Sequence, residues 1–340
     1  MIDDRELLLA SLDNQHLLDR VDMASVVSNL CGLQAQFANN PAHALRFRAY
    51  DFDEASWQDG LVKTWTFRRT IHVVRRDELG LFLSAQGVPD KWDDEWGVSR
   101  RIKPRLSANI VAWIREGNGG REALKERCRA KGVDEEVLAN VFHGWGGLLK
   151  EICQRGLAAY VPGTEKRFIA CDAVDFMERD EARAILLRRY FTRLGPATIA
   201  DCATFMGLTP KTVLGVLDRF PLPLQSVGGR GGEYFYLREW DARREIPECV
   251  FLAGFDQLLM AYRDRRRLVD DKHKGCVVTN TGIVHPTIVV GGRVRAKWRK
   301  DGKTLRVTPF VSLSLRRRRR VEEAGEALFA GAVREVVFEE

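Results

Sequence analysis

The chain has 340 residues, with 54 Lys and Arg against 47 Asp and Glu, a net charge of +7. That length predicts two to four modules. A composition of 45% hydrophobic and 30% charged residues excludes a disordered tail, and no apolar run approaches the roughly 20 residues needed to cross a bilayer.

The opening segment, MIDDRELLLASLDN, is acidic and then amphipathic, unlike a secretory leader. Apolar spacing predicts helices over 5–18 and 23–36, and Pro41 suits the first turn of a third, PAHALRFRAY. Residues 61–74, LVKTWTFRRTIHVV, alternate polar with apolar or aromatic types and read as strand. On such a strand Arg68, Thr70 and His72 share one face, opposite Arg69, Ile71 and Val73. Helices followed by a strand pair or ribbon outline a winged helix over 1–80.

The pattern returns twice. Helices are expected over 105–116, 121–131 and 134–155, then two short strands around Pro162-Gly163-Thr164, giving a second module over 100–175. The third module, 180–242, contains PATIADCATFMGLTPKTVLGVLDRF. This segment predicts a short helix over 197–205, a turn at Gly207, and a second helix capped by Thr209 with Pro210 in its first turn. Helix–turn–helix units have this form. PLPLQSVGGRGGEYFYL then supplies two strands around a glycine-rich tip, which reads as a wing rather than a phosphate cradle. From 248 to 340 the sequence is β-rich, with Gly291-Gly292 as a hairpin turn, a helix over 316–330 and a last strand, REVVFEE. The expected fold is α+β: three tandem winged-helix motifs and a C-terminal β-barrel-like module.

The charge is concentrated in one region. Residues 1–240 carry 33 basic and 33 acidic side chains, whereas residues 263–320 carry 18 and 4. Such a stretch attracts a polyanion with salt-dependent affinity, the other reading being a solvated arginine-rich surface. On a strand, Arg293, Arg295, Lys297 and Arg299 project from one face and Val294, Ala296 and Trp298 from the other, a pattern suited to phosphate contact. Arg263, Arg265 and Arg266 precede them in the same basic segment. The run Arg316–Arg320 surrounds a helix and is expected to pair in part with Glu322, Glu323 and Glu326. The seven cysteines are scattered and odd in number, with no CxxC and no Cys/His cluster. No zinc site, metal or disulfide framework is expected, and a reduced cytoplasmic compartment fits best. There is no P-loop, no GxGxxG after a strand, no HExxH and no GxSxG. The acidic patch in KWDDEWG reads as a solvated charge run.

Three segments carry a family resemblance: CGLQAQFANNPAHAL, TWTFRRTIHVV and FDQLLMAYRDRRRLVDDKHKGCVVTNTGIVHPTIVVGGRVRAKWR. They resemble the winged-helix DNA glycosylases that unhook interstrand crosslinks, the AlkZ/YcaQ type, from about residue 5 to 330. The resemblance implies three winged-helix motifs and a C-terminal barrel around a concave DNA channel, with a barrel hairpin near the lesion. It also implies that a Gln–apolar–Gln motif is catalytic, which assigns Gln34 and Gln36. Alkylation at N7 turns guanine into a cationic leaving group, so strong acid catalysis is unnecessary. A carboxamide oxygen can orient water and stabilise positive charge developing on the sugar. Two glutamines at i and i+2 of a helix diverge by about 200°, so the motif requires a helix end or turn.

Arg69, Thr70 and His72 also fit the family, as a polar floor of the site or as a hydrogen-bonded ribbon bracing Gln34–Gln36. The expected protein is a monofunctional glycosylase without cofactor, acting as a monomer on double-stranded DNA with alkylated purines, in the cytoplasm at the nucleoid and away from membranes. No lysine lies near the motif before Lys63 to form a Schiff base. The alternative is a non-catalytic winged-helix DNA-binding protein, a regulator or drug-resistance factor.

Overall fold

The first helix, α1 (Asp4–Asn14), starts where the Asp3 carboxylate accepts the Glu6 amide at 2.8 Å. In this computed structural model, which describes residues 1–144 and 146–339, α1 ends short of residue 18 because His16 takes a φ of +61°. Helix α2 (Met23–Asn29), capped by Asp22, also stops earlier than its apolar spacing predicts. Cys31 (φ +55°) and Gly32 (φ +81°) turn the backbone out of the helix, and the chain continues as β1 (Leu33–Gln34) and α3 (Asn40–Arg48), with Pro41 in the first turn of α3 as expected. The chain divides into two compact units, Met1–Trp57 with Ala184–Glu340, and Gln58–Arg183.

In the unit Gln58–Arg183, the expected single strand over 61–74 is a hairpin. Strands β2 (Leu61–Trp65) and β3 (Ile71–Arg75) pair antiparallel, with Thr64 opposite His72. The reason is local: Arg68 and Arg69 both have φ near +55°, so Phe67–Arg69 forms a tight turn. Helices α4 (Leu79–Gln86), α5 (Lys103–Arg115), α6 (Arg121–Ala130), α7 (Glu135–Val141) and α8 (Gly147–Gln154) follow. The expected helix over 134–155 is therefore two, broken where Gly146 and Gly147 take positive φ. Strands β4 (Ala158–Tyr160) and β5 (Phe168–Ala170) complete the strand order β3-β2-β4-β5. Ile110, Leu124, Val141, Leu148, Ile152 and Phe168 share this unit's core. Lys103, fully buried, is ion-paired with Glu151 and with Asp93 at 3.1 Å, which ties the acidic KWDDEWG patch to α5.

The boundary between the units falls within α9 (Arg179–Arg193). Helix α10 (Ile199–Met206) begins at a capping box formed by Thr198 and Asp201 and ends at Gly207 in the left-handed region. Helix α11 (Pro210–Arg219) is capped by Thr209, and the hairpin β6 (Gln225–Gly229) with β7 (Gly232–Tyr236) follows. This is the element order read from the sequence.

The C-terminal elements are β8 (Cys249–Leu252), α12 (Gln257–Met260), α13 (Lys274–Val277), β9 (Thr287–Val290), β10 (Arg293–Asp301), β11 (Thr304–Pro309), α14 (Leu315–Leu328) and β12 (Glu335–Phe338). Gly291 and Gly292, both at positive φ, make the two-residue turn joining β9 to β10. The strand order β12-β11-β10-β9-β8 is that of an open sheet, and no closed barrel is found among the described residues. Strand β12 returns through α14 to lie parallel to β11, which leaves β8 and β12 as the two edges. Leu8 and Leu12 of α1 share a core with Leu252, Val289 and Val294 of this sheet.

Candidate active site and nucleic-acid interface

Gln34 and Gln36 do not lie in a helix. The turn at Cys31-Gly32 delivers Gln34 into the short extended segment β1, where it is buried at 5% exposure, while Gln36 two residues on is exposed. The motif thus has one enclosed and one open carboxamide, and the helix-divergence problem does not arise.

The turn is held by a segment 225 residues further along the chain. Gln257, itself buried, donates from Nε2 to the Gly32 carbonyl at 2.5 Å. Gln257 opens α12, whose cap is Asp256: its carboxylate accepts the amides of Leu258 at 3.0 Å and Ala253 at 3.1 Å. The same carboxylate receives two hydrogen bonds from Arg48, at 2.6 and 3.0 Å, and both side chains are fully buried. Arg48 ends α3, the helix that begins just after the motif, and its Nε donates to the Gln15 carbonyl at 2.9 Å. Phe37 and Phe255 approach to 6.1 Å between ring centroids. A Cβ added at Gly254 would lie 2.7 Å from Asn40 Oδ1, so a larger residue there would have to displace the Asn40 side chain. FDQLL opens the third of the segments that carry the family resemblance, and nothing in its spacing marks it as part of the site. Packing places Phe255, Asp256 and Gln257 against the turn that carries Gln34.

In the other unit, Arg69 lies exposed in the β2–β3 turn and Thr70 Oγ1 donates to the Phe67 carbonyl at 3.0 Å. His72 is buried, with Nδ1 2.8 Å from Thr66 Oγ1. Burial, with a smaller contribution from Arg68, lowers its pKa to about 3, so the ring is neutral at physiological pH. Arg68, in a turn, does not share a strand face with His72 as the sequence suggested.

The cationic strand has the expected alternation. Along β10, Val294, Ala296 and Trp298 are buried, while Arg293, Arg295 and Lys297 are partly exposed and Arg299 is exposed. Trp298 donates to the Leu252 carbonyl at 2.9 Å and packs among His43, Phe47 and Phe329, so the inner face of the strand rests on α3. Burial lowers the His43 pKa to about 4, assisted by Arg46. On the outer face Arg295 pairs with Asp270 at 2.8 Å and Arg299 with Glu339 at 2.9 Å. Arg293 donates to the Arg266 carbonyl and sits 3.8 Å from Asp270. Lys297 has no carboxylate partner among the described residues. Arg266 is held by Asp264 at 2.5 Å, Arg265 donates to the Leu259 carbonyl at 2.7 Å, and Arg263 is exposed. Of the helical arginine run, Arg319 and Arg320 both pair with Glu323. Among the described residues no group of three or more His, Cys, Asp or Glu is placed to hold a metal ion, and no helix is long and apolar enough to cross a membrane.

A family model described as DNA glycosylase AlkZ-like matches residues 27–330. The chain belongs to the AlkZ-like DNA glycosylase family. The match spans the Gln34 turn, its FDQLL brace and the cationic strand together. An interstrand DNA cross-link repair glycosylase of Streptomyces sahachiroi is 28% identical over 335 residues, covering 90% of each chain. The solved structure of Streptomyces sahachiroi DNA glycosylase AlkZ superposes with a TM-score of 0.78 at 24% identity, over 99% of this chain and 100% of that one. This AlkZ-like chain thus shares a mixed helix-and-sheet fold with a solved member from end to end.

Proposed function

We propose that this AlkZ-like chain is a monofunctional DNA glycosylase that hydrolyses the N-glycosidic bond of N7-alkylguanine in double-stranded DNA and so unhooks interstrand crosslinks. The observation that carries the reading is the braced turn: within the family-matched region, a buried Gln34 and an exposed Gln36 flank Ala35 on a backbone fixed by Gln257. In the reaction, water adds to C1′ as the C1′–N9 bond breaks. The cationic base leaves as neutral N7-alkylguanine, and the water gives up one proton to solvent. Gln34 and Gln36 direct the water and stabilise the sugar cation through their carbonyl dipoles.

Arg69, Thr70 and His72 support the site as neutral or cationic hydrogen-bonding groups. Arg263, Arg265, Arg266, Arg293, Arg295, Lys297 and Arg299 contact phosphates. The modular reading, with three winged-helix motifs over 1–80, 100–175 and 180–242 and a basic module over 248–340, belongs to the same proposal, as does a monomer working at the nucleoid.

The test is a duplex carrying N7-methylguanine, incubated with protein and then treated with alkali. The wild type is expected to cleave at the lesion. Gln34→Ala and Gln36→Ala should each lower excision by about a hundredfold or more while retaining DNA affinity. Wild-type-like excision by both variants overturns the catalytic assignment. Tight binding without abasic sites in the wild type supports a DNA-binding protein of the same fold instead.

A further inference from the structure

Phe37, Tyr50 and Phe176 are the exposed aromatic side chains among the described residues. Of these, Phe37 directly follows Gln36, and its exposure is 50%. It leans on Phe255, with ring centroids 6.1 Å apart and planes inclined at 38°. That support is rigid. Phe255 is buried, and its amide, at a backbone φ of +54°, donates to the Val284 carbonyl at 3.2 Å. Its chain neighbours are Gly254, packed on Asn40, and Asp256, held by Arg48. The Phe37 carbonyl accepts the Asn40 amide at 3.2 Å, which ties its backbone to the start of α3. The ring is thus fixed without being hidden. A solitary exposed phenylalanine is ordinary on a surface. One on a fixed support beside the two carboxamides assigned to the lesion is placed to touch a base. The surrounding chain is uncharged: from Met23 to Leu45 there is no Lys, Arg, Asp or Glu. His43 is kept neutral by desolvation, and the Asp256 carboxylate is paired with Arg48. No carboxylate of this stretch can therefore distinguish a cationic N7-alkylguanine from neutral guanine. An aromatic ring can, because it stacks on any base and its quadrupole attracts a cation.

We propose that Phe37 is the specificity-determining residue for the cationic base: its open ring stacks on the alkylated purine while Gln34 and Gln36 act at C1′. The inference rests on the glycosylase reading and adds a recognition element to it. The chemistry also fixes which step the ring serves. The base is cationic before the C1′–N9 bond breaks and loses that charge as the bond breaks. The ring therefore stabilises the bound substrate at least as much as the transition state. Removing it weakens lesion binding and leaves the maximal rate nearly unchanged, the reverse of the expectation for Gln34 and Gln36.

Binding is measured with full-length protein on duplexes identical except at one site, which holds N7-methylguanine, its uncharged isostere 7-methyl-7-deazaguanine, or guanine. A 2′-fluoro substituent on that nucleotide destabilises a cation at C1′ and keeps the base in place during the titration. The wild type is expected to favour the cationic base over the isostere by about three- to tenfold. Phe37→Leu, which keeps an apolar side chain against Phe255, should bring that ratio close to one. Phe37→Trp should keep or increase it. In single-turnover excision of the unfluorinated lesion, Phe37→Leu should raise the half-saturating protein concentration and keep the maximal rate within about twofold of the wild type. Equal wild-type affinity for the cationic base and its isostere overturns the proposal, as does a ratio unchanged in Phe37→Leu. Loss of affinity for every duplex by the same factor makes Phe37 an apolar wedge and overturns it too. Absence of excision by the wild type counts against the glycosylase reading alone, because the affinity ratio needs no bond cleavage.

Discussion

Around Gln34 the groups that hold the backbone are buried, and most of the hydrogen bonds that fix it run between distant parts of the sequence. Arg48 meets Asp256 across 208 residues and Gln257 meets Gly32 across 225. Along β10 the polar groups face outward, and Arg295 and Arg299 are held by partly exposed carboxylates. The first region fixes one geometry of an uncharged motif. The second keeps charge near a surface in pairs that solvent screens and that exchange readily. Their shared element is α3, which carries Arg48 toward the turn and packs His43 and Phe47 against Trp298 of the strand. Position and charge are thus supplied by different residues on one scaffold, and substitutions should separate them.

The largest effect is expected where the turn's brace is broken. Asp256→Ala leaves the fully buried Arg48 guanidinium without its anion and should destabilise the fold by about 3–5 kcal/mol, read by urea denaturation. The double variant Arg48→Met with Asp256→Leu should recover most of that loss, because no buried charge is left unpaired. If the single variant is as stable as the wild type, the comparison between a rigid turn and an adaptable strand collapses.

A smaller and more selective effect is expected at Gln257. Gln257→Met keeps the side-chain length and loses the donor to the Gly32 carbonyl, at a cost of about 1–3 kcal/mol to an unsatisfied buried acceptor. Since that carbonyl belongs to the turn delivering Gln34, single-turnover excision should fall about ten- to a hundredfold with duplex affinity unchanged. Gln257→Glu, which cannot donate from an ionised carboxylate, should be at least as impaired. Equal losses in excision and affinity would show that Gln257 supports the fold in general rather than the position of Gln34.

Much of the scaffold was legible because its signals are local. Thr198 and Gly207 mark both ends of one short helix, Thr209 and Pro210 mark the start of the next, and Gly291-Gly292 marks a hairpin turn between alternating strands. The turns that shape the site carry no such marker. Cys31, Arg68 and Arg69 adopt positive φ although none is glycine, so apolar spacing extends a helix too far past Asn29 and alternation presents a hairpin as one strand. The Arg48–Asp256 and Gln257–Gly32 contacts leave no periodicity at all, because they join residues more than 200 positions apart. The open edge of the last sheet is hidden from the sequence for a related reason. A strand's pattern states which face is buried, not that β12 lies parallel to β11.

The smallest effects should appear along β10, and they distinguish its cations from one another. A phosphate contact releases counterions and contributes about −0.9 to the slope of log affinity against log salt. Lys297 has no carboxylate to leave, so Lys297→Gln should flatten the slope by nearly that amount and weaken undamaged duplex a few-fold. Arg299 must first part from Glu339, and Arg295 from Asp270, so Arg299→Gln and Arg295→Gln should change the slope less. Glu339→Gln should then act in the opposite sense, freeing Arg299 and steepening the slope. Identical slope changes for the paired and unpaired cations would mean that the carboxylates move aside freely when DNA binds. An unchanged slope in all of them would remove β10 from the DNA interface and leave its alternation to the packing of Trp298 alone.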